Sequence, residues 1–110
     1  MRLMFKKSDE KYLWTQHVRG KMRHYRLSES RIRRVIRHPA RTEEGIFEGA
    51  VACMQPIAGR RYSELWALYI LVNARPRKKI KIITAWRYPG KAPERDPVPS
   101  DILNEIKNLR

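Results

Sequence analysis

The apolar positions of this chain follow a strand-like spacing, then a helical one, then a strand-like one again. An aromatic run, Tyr12 to Thr15, is short enough for a strand. Val18, Met22 and Tyr25 then recur at i, i+4 and i+7, which predicts a helix starting at Thr15 or Gln16. Arg26 and Leu27 make a turn, and Ser28 suits the N-cap of a second helix with Glu29 in its first turn. Ile32, Val35 and Ile36 form that helix's stripe, and Pro39 ends it by disfavouring helical geometry at His38.

Beyond Pro39 the pattern becomes strand-like. Residues 41–44 read as a short strand before a turn at Gly45, and residues 49–55 as a strand of small residues. Residues 56–61 read as a turn. Residues 63–73, SELWALYILVN, are the most hydrophobic stretch and predict a central strand buried on both faces. Leu65, Leu68, Tyr69 and Val72 also fit a helical stripe, but the aromatic and β-branched content favours a strand. Residues 74–79 read as a basic turn, and Ile80 to Trp86 as a second strong strand, ended by Arg87, Tyr88 and Pro89.

The composition then shifts, since four of the seven prolines lie between Pro89 and Pro99. Residues 90–99 therefore read as a linker. Ser100 opens a last helix with Ile102, Leu103, Ile106 and Leu109 at core spacing, to dock back on the domain or to engage a partner. The expected organisation is a charged lead-in (1–11), one α+β domain (12–89), a linker (90–99) and an appended helix (100–110). Two N-terminal helices are expected on one face of a three- to five-stranded antiparallel sheet.

A chain of 110 residues fits one domain with one modest core. Its single cysteine, Cys53, excludes an internal disulfide, reads as a small packed residue and leaves no CxxC zinc pair. Leu65 to Val72, the longest apolar run, is far short of the ~20 residues that span a bilayer. No stretch near the N-terminus reads as a signal peptide, so a reducing cytoplasm is the expected compartment and no membrane partner is expected.

Charge narrows the partner. Lys and Arg number 25 against 11 Asp and Glu, a net +14. Between Arg19 and Arg37 eight basic residues face one acid, Glu29. Arg19, Arg23 and Arg26 share one helix face; His17, Lys21 and His24 share another. Such faces, with Arg60 and Arg61 in the mid-chain turn, suit phosphate binding, and the arginine fork suits bidentate contacts. RNA, the ribosome or DNA is the expected partner, against the plainer alternative of a solvated basic surface. A second basic cluster, Arg75 to Lys79, lies at the other end of the central strand.

Metal-assisted chemistry has little support, because His17 and His24 stand about 10 Å apart along a helix, and no cofactor is expected. If the chain cleaves RNA, the expected route is metal-independent attack by the ribose 2′-hydroxyl. That needs an acid–base group and cations on the phosphate. His17 is the acid–base candidate, Arg23, Arg60, Arg61 and Arg87 the phosphate cations, Tyr88 an acid or stacking platform, and Thr84 a positioning hydroxyl. Trp14, Trp66 and Trp86 read as core or half-buried strand residues.

The stretch HVRGKMRHYRLS (17–28), the following helix SRIRRVIRHP and the strand IKIITAWRY resemble a recurring arrangement. Its motif is H-A-x-x-R-M-x-x-R-x-I-S, with a last strand of the form V-V-T-x-Y. It marks small prokaryotic domains of unknown function grouped with RelE/ParE-like and BrnT-like toxins, and the likeness covers Tyr12 to Tyr88. Lys21 and Tyr25 stand where the pattern has arginines, and Val18 where it has alanine. The resemblance implies two helices on an antiparallel sheet and a metal-independent ribonuclease or ribosome-dependent messenger cleaver. Some relatives act on DNA gyrase instead. It also implies an acidic antitoxin partner, with His17, Lys21, Met22 and Thr84 as the matched positions. A homodimer through the last helix is a further alternative.

Overall fold

Thr15 fixes how the first helix leaves the first strand. Its Oγ1 accepts the Val18 N–H at 3.1 Å as N-cap, and lies 2.8 Å from the Ile82 carbonyl oxygen, to which it donates. In the computed structural model, which describes residues 11–44, 46–75 and 77–107, this places α1 (Gln16–Tyr25) directly after β1 (Tyr12–Trp14). Ser28 caps α2 (Glu29–Arg37) by accepting the Arg31 N–H at 3.0 Å. The chain continues through β2 (Arg41–Glu44), β3 (Ala50–Ile57), β4 (Ser63–Ala74) and β5 (Arg77–Pro89) to α3 (Ser100–Lys107). The class is α+β, as expected. Residues 1–10 of the expected lead-in, the Gly45 turn and Leu109 lie outside the described residues.

The five strands are ordered β1-β5-β4-β3-β2. All neighbours are antiparallel except β1, which runs parallel to β5 with Tyr12 opposite Ile80 and Trp14 opposite Ile82. The expected purely antiparallel sheet is thus corrected to a mixed one. A parallel pair needs a long crossover, and the whole intervening chain supplies it. Hydrophobic period identifies a strand but not its neighbour.

Two further expectations change. Pro56 and Ile57 belong to β3 rather than to the turn, opposite Glu64 and Ser63. β2 stops pairing at Met54, so Pro56 sits where β3 has one neighbour, a position that tolerates a missing N–H. Arg77 to Lys79 belong to β5, because the ladder from β4 outweighs the weak strand preference of a charged run.

The sheet is covered on both faces. On one, Val18, Met22, Ile32, Val35 and Ile36 of the helical hairpin pack on Tyr12, Cys53, Leu65, Ala67, Ile82 and Ala85. On the other, Ala92, Val98, Ile102 and Ile106 pack on Ala52, Met54, Trp66, Leu68 and Trp86. The last helix is therefore no free appendage: residues 90–99 run over the sheet and α3 docks on it. Trp66 and Trp86 stack there with ring centroids 5.9 Å apart, both fully buried.

Polar clasps hold this segment. The fully buried Glu64 carboxylate accepts from the Tyr62 hydroxyl at 2.7 Å, the Trp66 indole N–H at 3.0 Å and the Ala92 N–H at 3.0 Å. Arg41 donates to the Ala92 and Pro93 carbonyls, each at 2.7 Å, and lies over the Trp66 ring. Gly90 makes the turn that starts the segment. Its φ of +85° is open to glycine, and its N–H donates to the Tyr62 carbonyl at 3.0 Å. Among the described residues no helix is long and apolar enough to cross a membrane.

Candidate nucleic-acid interface

A concentration of uncompensated charge lies on the helical-hairpin face, at the end of the sheet nearest the β3–β4 turn. Strand register places Gln55, Leu65 and Arg87 in one row across β3, β4 and β5. Leu65 packs with the hairpin core, so Gln55 and Arg87 flank it on the same face. From above, Arg31 of α2 donates to Gln55 Oε1. The Gln55 amide donates to the carbonyls of Arg34 and His38 at 3.2 and 2.8 Å, which caps the end of α2. Gln55 therefore fixes α2, and with it Arg31 and Arg34, over the row that ends in Arg87.

Arg31 lies within electrostatic reach of both Arg34 and Arg87. Partial burial, then the charges of Arg34 and Arg87, hold the Arg31 guanidinium below its ordinary pKa. The five ion pairs among the described residues do not include Arg31, Arg34 or Arg87. Glu29, the acid of this hairpin, is occupied by Arg19 and Arg33; the Arg19 hydrogen bond, joined by the charges of both arginines and the Arg33 hydrogen bond and opposed by burial, holds its carboxyl below the usual range.

The connection between α1 and α2 borders the cluster, since Arg87 also donates to the Tyr25 carbonyl at 3.3 Å. Arg26, exposed in that connection, has φ 58° and ψ 53°. Its N–H donates to Arg23 O at 3.3 Å and the Leu27 N–H to Met22 O at 2.8 Å, a helix ending that normally selects glycine. An arginine there costs about 1 kcal/mol.

The remaining expected site residues divide. Arg23, Arg60 and Arg61 are exposed and outside the ion pairs among the described residues. Arg60 and Arg61 lie in the β3–β4 turn, at the Arg87 end of the sheet. Arg19 pairs with Glu29 and covers Trp14, and Lys21 pairs with Glu105 of α3 at 2.9 Å. His17 Nε2 lies 3.3 Å from the same Glu105 carboxylate.

The expected catalytic set does not assemble. His17 stands one residue into α1, whereas Arg87 meets its last residue, about 12 Å further along the axis. Tyr88 points to the opposite sheet face from Arg87, opposite Glu64 and against the Trp66–Trp86 layer. Thr84 is fully buried, so its hydroxyl is closed to any ligand. Met22 is core, as expected. Burial raises the pKa of Cys53, against a smaller lowering by Thr42, which agrees with a packed thiol.

Sequence reasoning missed Gln55 altogether and left Arg31 and Arg34 in a general basic run. Their spacing on α2 marks one helix face; nothing local says which strand residue that face meets. Among the described residues no three His, Cys, Asp or Glu side chains gather as a metal site. The chain matches no family model, no curated protein and no solved structure.

Proposed function

We propose that this chain is a toxin-like basic protein that acts on RNA by binding it across the Arg31–Arg34–Arg87 surface, with Arg26, Arg60 and Arg61 at its margin. One observation carries the reading: Arg34 and Arg87 both act on Arg31, and among the described residues none of the three is in an ion pair with a carboxylate. A purely structural cluster would gain by pairing them, whereas a phosphate chain supplies the missing charge. The helical hairpin on one sheet face agrees with the RelE/ParE-like and BrnT-like resemblance. The same surface is where an acidic antitoxin-like partner would bind, in the cytoplasm. Binding is placed ahead of cleavage because His17 and Arg87 stand at opposite ends of α1 and Tyr88 lies on the other sheet face.

The test uses a labelled single-stranded RNA in excess EDTA. Binding without cleavage is expected, with affinity falling on a log–log salt plot by about 0.7 per phosphate neutralised. His17→Ala is expected to bind as the wild type does. Cleavage by the wild type that disappears in His17→Ala would replace this reading with a metal-independent ribonuclease.

Arg26→Gly separates stability from function. It relieves the left-handed strain, so the unfolding free energy is expected to rise by about 1 kcal/mol in urea titrations. RNA binding is expected to weaken severalfold, because one marginal cation is gone. A variant that is stabilised but binds unchanged would remove Arg26 from the interface.

A further inference from the structure

We propose that the β4–β5 ribbon is a second nucleic-acid contact, which holds an extended single strand with its phosphates on Arg77, Lys79 and Lys81. The proposal goes beyond the interface described above and rests on that reading only in taking nucleic acid as the polyanion. β3 pairs with β4 as far as Ile70, and β1 meets β5 only at residues 80–82. Among the described residues, Val72 to Ala74 and Arg77 to Lys79 therefore pair only with each other, a two-stranded finger standing beyond the sheet.

Register sorts its side chains. Ile70 faces Lys81, Val72 faces Lys79, and Ala74 faces Arg77, so all six share one ribbon face. One edge of that face is a row of three cations spaced about 7 Å apart, and the other is a row of aliphatic side chains. A row of cations at that spacing follows the phosphates of an extended strand, and the aliphatic row leaves its bases an apolar neighbour. Between Leu65 and Pro93 the sequence has seven basic residues and no acidic one. Where the ribbon joins the sheet, Phe47, Ile70, Lys81 and Ile83 line a concavity of about 370 Å³, which admits an unstacked base beside the last cation. Glu48 is the one carboxylate among its lining residues. A duplex does not fit this arrangement, because its bases are stacked inward and cannot enter the concavity.

The experiment measures fluorescence anisotropy of the full chain with a short labelled mixed-sequence RNA, as a single strand and annealed to its complement, over a range of salt. The variant Arg77→Gln/Lys79→Gln/Lys81→Gln keeps much of the side-chain stems. It is expected to bind the single strand at least roughly tenfold more weakly at low salt, with the salt slope reduced by about 2, while duplex binding changes little. Glu48→Gln is expected to tighten single-strand binding. Single-strand binding by the triple variant at wild-type affinity and slope would overturn the ribbon and leave the Arg31–Arg34–Arg87 reading standing. Equal losses on duplex and single strand would overturn the single-strand assignment. A wild-type protein that binds neither RNA would overturn the reading itself and the ribbon with it.

Discussion

Glu64→Ala is expected to lower the unfolding free energy by about 3 kcal/mol, which for a chain of this length moves the melting midpoint by roughly 15 °C. The carboxylate is fully buried between β4 and the segment that crosses it, and it accepts from a hydroxyl, an indole N–H and a backbone N–H at once. Truncation leaves the Trp66 and Ala92 donors buried without the carboxylate that accepts them, at about 1–3 kcal/mol each. A loss under 1 kcal/mol in urea and thermal titrations would show that this clasp is not what holds the C-terminal layer.

The same group gives the fold an acid limit. Burial raises the Glu64 pKa, but the Ala92 N–H, the Tyr62 and Trp66 donors and the Arg41 charge outweigh it, and the net shift is downward from 4.5. A depressed folded-state value means the stabilisation is complete above the unfolded value and is lost as pH falls through the folded one. Glu64→Gln cannot titrate there. The stability difference between wild type and Glu64→Gln is therefore expected to be largest near neutral pH and to shrink below about pH 4. A difference that stays constant with pH would assign the acid limit to other carboxylates.

The two helices were legible because their signals are local. The apolar stripes of Val18–Met22 and Ile32–Val35–Ile36, the N-caps Thr15 and Ser28, and the stop at Pro39 lie within one or two turns of what they determine. Strands β4 and β5 were legible from hydrophobic content, but their ends were not. Pro56 and Arg77–Lys79 read as turns because strand preference is weak at places where a neighbouring ladder decides. The opposite facing of Arg87 and Tyr88 was present in the period of two along a strand. The hold of Glu105 on His17 and Lys21, the Gln55 bridge and the parallel β1–β5 pair join residues far apart in sequence, and no local pattern carries that information. The segment from Gly90 to Pro99 read as a linker for its prolines, although Ala92 and Val98 are buried and the segment is held by acceptors and donors from β2 and β4.

Charge alone was a poor guide to the interface, because it counts cations without asking what neutralises them. Arg19 and Lys21 belong to the basic helix, yet each spends its charge on a glutamate within the fold. Arg31, Arg34 and Arg87 are in none of the ion pairs among the described residues. The difference predicts opposite effects. Arg19→Gln is expected to leave RNA affinity nearly unchanged while loosening the Glu29 contact, by no more than about 1 kcal/mol at this exposed position.

Arg31→Gln/Arg34→Gln/Arg87→Gln is expected to do the reverse. Removing mutually repelling charges leaves the unfolding free energy within about 1 kcal/mol of the wild type, since relief of repulsion offsets the lost Arg31–Gln55 and Arg87–Tyr25 hydrogen bonds. RNA affinity at low salt is expected to fall roughly a hundredfold, with the log–log salt slope reduced by about 2. The matching triple lysine variant restores the charge but not the planar fork, so it should recover the slope and only part of the affinity. Full recovery by lysine would mean that the surface acts as a diffuse cationic patch. Unchanged affinity in the glutamine variant would mean that the arginines meet on this face for some reason other than a phosphate chain, and the proposed function would fall with that result.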